Sequence, residues 1–375
     1  MSENTGTAGE ATPVAADKTV GFPCRGCGSQ MTFSPEKGRL VCPYCGGEEV
    51  IDSPREEAPE YLYFPDEDRY DAPDWEKRGA RALVCPSCGA ETLMSAAAMT
   101  ATCPFCGAHY VTEPEEGEKI IAPETMVPFR IPEGEALKRF HQWAKRQWLS
   151  PRAFRRGKKA ADMKGVYVPY WTFDAVTRTH YNGFGGRQRT ETYTTRENGR
   201  TVTRTRTVTD WYPISGEHDE DFDDIPCPAT RKVERKLLDR VGPFSMKVLN
   251  VYNPAYLAGF FAERYSVGLG EGFAVARARM EAHIAAAIQA ERGYDTYRGM
   301  HYDYRYERVK FKHILLPIWL SSYTYREKIF QFLVNGESGR VAGHAPRSFW
   351  KIFLLVVGGL GLLALLIWFL CTLDL

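Results

Sequence analysis

The sequence predicts an α+β protein: two N-terminal zinc ribbons, a mixed soluble body of β-hairpins and helices, and one C-terminal transmembrane helix. Three observations carry that prediction. Eight of the ten cysteines form four Cys-x-x-Cys pairs, each followed by glycine; runs rich in β-branched and aromatic residues alternate with helical patterns between residues 114 and 345; an uncharged apolar run ends the sequence.

Taken in order, residues 1–18 are small and polar, with neither a basic n-region nor an apolar h-region, and predict a disordered tail and no signal peptide. In a chain that is not exported, paired cysteines point to reduced thiolates that hold metal. The whole chain carries 48 basic and 47 acidic residues, a formal charge of +1. No global field draws it to nucleic acid or an anionic surface, so such binding has to come from a local patch.

Ribbon 1, residues 19–51, offers Cys24, Cys27, Cys42 and Cys45, and ribbon 2, residues 82–113, offers Cys85, Cys88, Cys103 and Cys106. In both, fourteen residues separate the two pairs, room for a β-hairpin between turns that each aim two sulfurs at one point. The expected cofactor is zinc, two ions per chain, in closed structural sites with no position left for substrate or water. Ribbons this small bury too little apolar surface to fold without metal. The Cys-Pro-aromatic-Cys-Gly knuckles also resemble rubredoxin, in which the same sulfurs hold a redox-active iron, and ligand softness does not separate the two metals. His109 follows a complete ligand set and is read as an exposed loop residue.

Residues 52–81 form an acidic linker whose rings, Tyr61, Tyr63 and Phe64 among them, suggest partial order against the body. The body spans residues 114–345. Val127 to Ile131 reads as a short strand, and Leu137, Phe140, Ala144 and Trp148 mark one face of a following helix. The strand Gly165 to Phe173 and the string Ile314 to Leu320 share a hydrophobic-Pro-x-Trp pattern, which suggests two related β-units. Thr190 to Val208 is a hairpin about Asn198-Gly199, a register that sets Glu191 opposite Arg206, Tyr193 opposite Arg204 and Thr194 opposite Thr203. Its arginines, Arg187, Arg189, Arg196, Arg200, Arg204 and Arg206, are read as cross-strand charge partners, and the acidic run from Glu217 to Asp224 opposes nucleic-acid binding there. Helices are expected at Thr230 to Val241 and at Glu271 to Arg292, the latter with Phe273, Ala276, Met280, Ile284 and Ile288 on its buried stripe, His283 off it and Gly293 as cap. Strands are expected at Tyr302 to Lys310, Ile314 to Thr324 and Lys328 to Val334, with a turn at Asn335-Gly336. Since the body has its own strands, replacing Cys85 is expected to unfold ribbon 2 alone.

The membrane segment occupies residues 350–373. Its uncharged core from Ile352 to Leu373 makes roughly 33 Å of helix, enough to cross a hydrocarbon core. Arg340, Arg347 and Lys351 precede it, so the positive-inside rule puts the N-terminal soluble part in the cytoplasm. Cys371 falls inside the span as an apolar filler.

The arrangement resembles a bacterial family of membrane-tethered double zinc-ribbon proteins, with ribbons of the transcription-factor-IIB type. The resemblance rests on both cysteine quartets, Val127-Pro-Phe129, Gly165-Val-Tyr-Val-Pro-Tyr-Trp-Thr-Phe-Asp174, Tyr256-Leu-Ala-Gly259, Leu316-Pro-Ile-Trp319, and Asn335-Gly336 with Gly339. Members often carry the label primosomal protein N-prime, replication factor Y or helicase. A helicase needs a phosphate loop ending in Gly-Lys-Ser or Gly-Lys-Thr, which the sequence lacks. Family members in bacilli are similar in layout to proteins encoded beside phage-shock and flotillin-like membrane proteins, which implies recruitment or scaffolding at the inner leaflet, with a flotillin-like or phage-shock-like partner, in a membrane-stress response.

No nucleophile, base and orienter stand together in the sequence, and Cys227 follows an acidic run that blunts its thiol. The expected function is therefore a non-enzymatic, membrane-anchored adaptor. The alternative is a membrane-tethered nucleic-acid binder that uses the ribbons and the basic segment 145–164, with Lys145, Arg146, Arg152, Arg155, Arg156, Lys158 and Lys159.

Overall fold

The computed structural model describes residues 22–52, 59–65, 81–94, 101–106, 109–110, 121–155, 163–197, 200–325 and 328–373. The predicted tail, most of the acidic linker, the Asn198-Gly199 turn, Arg156, Lys158, Lys159 and the side chains of His109 and Cys371 lie outside them.

Ribbon 1 contributes β1 (Thr32–Ser34), β2 (Arg39–Val41) and β3 (Glu48–Glu49), and β4 is Tyr61–Leu62. Ribbon 2 contributes β5 (Arg81–Val84), β6 (Glu91–Met94), β7 (Ala101–Thr102) and β8 (His109–Tyr110). The body follows with β9 (Thr125–Met126), α1 (Glu133–Arg146), α2 (Arg152–Arg155), β10 (Lys164–Glu197), β11 (Arg200–Pro228), α3 (Arg235–Val241), β12 (Asn250–Val251) and β13 (Phe261–Glu263). Then come α4 (Leu269–Arg292), β14 (Thr296–Tyr325), β15 (Lys328–Asn335), β16 (Val341–Gly343) and α5 (Phe349–Leu373).

The main correction to the sequence prediction is length. The strand at residues 165–173 and the hairpin at 190–208 are parts of one continuous pair, β10 with β11, and the strands predicted at 302–310 and 314–324 are one strand, β14. The predicted hairpin register holds, with Glu191 opposite Arg206, Tyr193 opposite Arg204 and Thr194 opposite Thr203. At about 3.3 Å per residue, the part of β10 beyond Ala175 forms an arm roughly 70 Å long. Two environments hid the continuity. At its base both faces of the sheet are covered, so the sequence is a near-unbroken apolar run, whereas along the arm it turns polar. The change occurs at a double bulge, where Arg308 and Asp224 take positive φ and the Asp224 N–H donates to Asp174 Oδ1 at 2.7 Å. The acidic run is part of β11, where Asp219 pairs with Arg178 and Glu217 with His180.

Period two divides the base. Tyr167, Leu315 and Trp319 point to one cluster, which contains Phe140 of α1 and Cys24, Phe33 and Cys42 of ribbon 1. Val166, Val168, Ile314, Leu316 and Ile318 point to the other, which contains Leu237 and Leu238 of α3 and Cys85, Cys103 and Phe105 of ribbon 2. The cysteine quartets of the two ribbons thus pack into clusters on opposite faces of one sheet. A third cluster, at the arm's root, joins Trp171, Phe173 and Phe311 to Phe273, Ala276 and Met280 of the predicted α4 stripe and to Tyr63 of the linker, while Ile284 and Ile288 of that stripe pack further along the arm with Tyr181.

The two Pro-x-Trp strings are antiparallel neighbours, with Tyr167 opposite Pro317 and Pro169 opposite Leu315. Their partners match as well. The Pro169 carbonyl accepts from Ala229 N at 2.9 Å and the Pro317 carbonyl from Gly336 N at 2.8 Å. Trp171 Nε1 donates to Val267 O, two residues before α4, and Trp319 Nε1 donates to Ile131 O, two residues before α1. These matched contacts relate two β-units by a local two-fold.

Two helices start or end differently from their patterns. The Thr230 hydroxyl accepts from Lys232 N at 3.0 Å, a local turn that delays α3 until Arg235. α1 ends at Arg146, which leaves Trp148 beyond the helix and exposed instead of on the buried stripe.

Candidate metal centres

Each quartet is assembled by short turns that local sequence dictates. In ribbon 1, Gly28 N donates to Cys24 O at 2.8 Å and Gly46 N to Cys42 O at 3.0 Å, with both glycines in the left-handed region. The turn at Cys85 repeats this: Gly89 N donates to Cys85 O at 2.7 Å and Gly89 has φ 64°. The four sulfurs of each quartet lie within 4.8 Å of one another.

Close pairs are Cys24 with Cys45 at 3.4 Å, Cys27 with Cys42 at 3.5 Å, Cys85 with Cys106 at 3.7 Å and Cys88 with Cys103 at 3.7 Å. A tetrahedron with metal–sulfur bonds of about 2.3 Å has edges of about 3.8 Å, whereas a disulfide needs about 2.05 Å. All eight cysteines are free thiols at metal-site spacing. The cradle in ribbon 1 also excludes bulk, since a Cβ on Gly47 would stand 3.3 Å from the Cys24 sulfur. These donor sets fit a tetrahedral metal ion.

The surroundings differ between the two sites. Cys27 and Cys45 of ribbon 1 are exposed, while Cys85 and Cys103 of ribbon 2 are buried and Cys88 and Cys106 half-buried. Hydrogen bonds from Ser29, first its side chain and then its backbone, bring the Cys27 thiol down to about 6. Burial pushes Cys88 up to about 11 and raises Cys103 as well. Beside ribbon 2, Lys232 Nζ donates to the Cys88 carbonyl at 2.8 Å and so sets a cation next to sulfurs that carry negative charge when metallated. No local pattern announces Lys232, which lies 144 residues from Cys88.

Ribbon 2 is also built into the main sheet. β6 pairs with β13, Arg264 N donates to Glu91 O at 3.0 Å, and the Arg264 guanidinium meets the Glu91 carboxylate at 2.8 Å. The strand pairing argues against ribbon 2 unfolding alone: its strands continue the body's sheet, so its loss is expected to reach the body. Ribbon 1 docks without pairing its strands to the body's sheet. Phe33 N donates to Ala258 O at 2.9 Å, and the Phe33 ring meets Tyr256 edge-on at 5.1 Å, so the Tyr256-Leu-Ala-Gly259 motif is its seat. Gly259, at φ 90°, lets Thr32 approach that turn closely.

Among the other singled-out residues, Cys227 is pushed up to about 12 by burial, and its acidic neighbour is Asp239 and not the run from 217 to 224. His283 is exposed and pairs with Glu220 at 2.9 Å. Among the hairpin arginines, Arg206 meets the cross-strand carboxylate of Glu191 at 3.0 Å and Arg189 that of Asp210 at 2.7 Å, while Arg187 lies over the Tyr294 ring.

At the other end, α5 is long and apolar enough to cross a membrane, with a mean hydropathy of 2.3 over Phe349–Leu366 and none of that window buried. Its first turn is fastened to the body. Ser348 N donates to Leu149 O at 2.9 Å, and Lys351 Nζ donates to the carbonyls of Trp148 at 2.8 Å and Ser150 at 2.6 Å.

No family model and no solved structure matches the chain. Over 334 residues it is 29% identical to the uncharacterized protein YdjG of Bacillus subtilis (strain 168), across 89% of this chain and 92% of that protein. The likeness extends over nearly the full length of both.

Proposed function

We propose that the protein is a membrane-anchored adaptor: α5 spans the bilayer, two zinc ions hold the ribbons, and the soluble part recruits or organises a membrane-associated protein complex on the cytoplasmic face. The observation that carries this reading is the fastening to the body, by Lys351 and Ser348, of an apolar helix of which none of the spanning window is buried. A helix of that hydropathy is unstable in water with its surface bare. Four sulfurs at tetrahedral spacing leave a metal no open position, so each site supplies structure and not catalysis. Anchoring raises the effective concentration of the body for partners at the same surface, the flotillin-like or phage-shock-like class that the layout implies.

Of the basic segment, Lys145, Arg146 and Arg152 lie exposed beside Trp148, the residue that holds the start of α5. That placement directs them to the membrane surface in preference to nucleic acid.

The test is fractionation followed by exchange. The full chain pellets with membranes, resists carbonate extraction and is shielded from protease added outside spheroplasts. Its partner co-purifies, survives replacement of α5 by an unrelated span and is lost when ribbon 1, whose strands are not part of the body's sheet, is deleted. Extraction by carbonate, or a partner retained without ribbon 1, contradicts the proposal.

A further inference from the structure

Where α5 leaves the body there is a cavity of about 530 Å³. Its wall includes Trp148, Ser150, Phe330, Arg240, His344 and Arg347. The segment 147–150 that forms one side also supplies the three carbonyls that hold Ser348 and Lys351. The cavity is thus fixed at the level of the first turn of α5.

Its charge is one-sided. Arg347 is exposed and makes no ion pair or hydrogen bond among the described residues. Arg240 donates through Nε to Lys236 O at 3.2 Å and stands 3.5 Å from His344 Nε2, which leaves other guanidinium donors free. The nearby carboxylate, Glu234, belongs to the wall of an adjoining pocket and is engaged with His344 at 3.0 Å. Trp148, 58% exposed at the rim, has the amphipathic character of rings that settle at a bilayer interface. Guanidinium groups bind phosphate oxygens in pairs, and the volume suits a small polar ligand.

From these facts we infer that the cavity is a headgroup site: Arg347 and Arg240 bind the phosphate of an anionic phospholipid from the leaflet at which α5 enters, with Trp148 seated in the interface beside it. The inference rests on the reading of α5 as a span. It goes beyond anchoring, because it makes the body selective for the lipid around it and fixes which face meets the membrane.

The experiment uses the full chain in nanodiscs that contain phosphatidylcholine and phosphatidylglycerol, with retained lipids counted by native mass spectrometry. At about fivefold per arginine near an anionic surface, wild type prefers phosphatidylglycerol on the order of 30-fold. R347Q, at an exposed and unpartnered position, loses about fivefold of that preference, and R240Q/R347Q loses nearly all of it. R196Q, the same charge loss on the distant arm, keeps it. Equal retention of both lipids by wild type, or equal losses from R196Q and R347Q, overturns the headgroup site. A chain that stays outside the nanodiscs overturns the span as well, so the two failures are distinct.

Discussion

Ribbon 1 and ribbon 2 have the same ligand spacing, the same knuckle glycines and nearly the same sulfur geometry, yet they occupy different structural positions. Ribbon 2 extends the body's sheet through β6 and places Cys85 and Cys103 in the same cluster as Val166 and Ile314. Ribbon 1 keeps its own three-stranded sheet; its Cys24 and Cys42 share the opposite cluster with Tyr167 and Leu315, but none of its strands pairs with the body's sheet, and it turns Cys27, Cys45 and Tyr44 toward solvent, the last 81% exposed. The difference teaches that a metal site's weight in the fold is set by where its strands pair and not by its ligand motif.

The largest expected effect is that of Cys103→Ser. Structural zinc in such sites contributes on the order of 10 kcal/mol, comparable with the whole stability of a domain, so losing it from an embedded ribbon should unfold the body. Circular dichroism of the full chain in detergent should show C103S without a cooperative melt, while C45S keeps the body's transition. A normal melt for C103S would break the comparison.

Next is metal release. A chelator should strip ribbon 1 first, through its two exposed sulfurs, and ribbon 2 much later, giving two kinetic phases with a metal-sensitive dye. C45S should abolish the fast phase only. A single phase would make the two sites equivalent.

A smaller effect is expected of Phe33→Ala, which removes the main ring between ribbon 1 and the body at a cost of about 3 kcal/mol. Hydrogen exchange should then quicken in residues 32–41 and around Ala258, while metal content and ribbon 2 stay unchanged.

The last effect, confined to a pH window, concerns Glu263, beside ribbon 2's strand. Burial pushes its carboxyl up to about 8, against which the Thr230 hydroxyl bond acts only partly. The folded state then holds a proton that the unfolded state has lost between about pH 4.5 and 8, so this group's contribution to stability falls as pH rises through that window. Glu263→Gln removes that loss. Its melting temperature should exceed wild type by a few degrees at pH 8, and the gap should close by pH 5. His313, buried and brought down to about 4 by that burial, acts with the opposite sign between about pH 4 and 6.5 and is common to both proteins.

What the sequence revealed follows the range of each interaction. The quartets, the α4 stripe with its left-handed Gly293 cap, and the register about residues 198 and 199 are set by neighbours within a few turns, and all were legible. The continuity of β10 was not, because a strand covered on both faces at one end and exposed at the other shows no single alternation. The sheet membership of β6 depends on β13, and the cation beside Cys88 comes from Lys232, so no local pattern announces either. Trp148 was misplaced for the opposite reason: its spacing fits the α1 stripe, but the helix stops two residues earlier and its backbone carbonyl holds Lys351 at the start of α5.

The most direct test of the account is the metal-to-protein ratio of the full chain recovered from the membrane fraction without chelator. Two zinc ions per chain, falling to one in C45S, is the predicted result. One metal or none in the wild type, or iron in place of zinc, would contradict it.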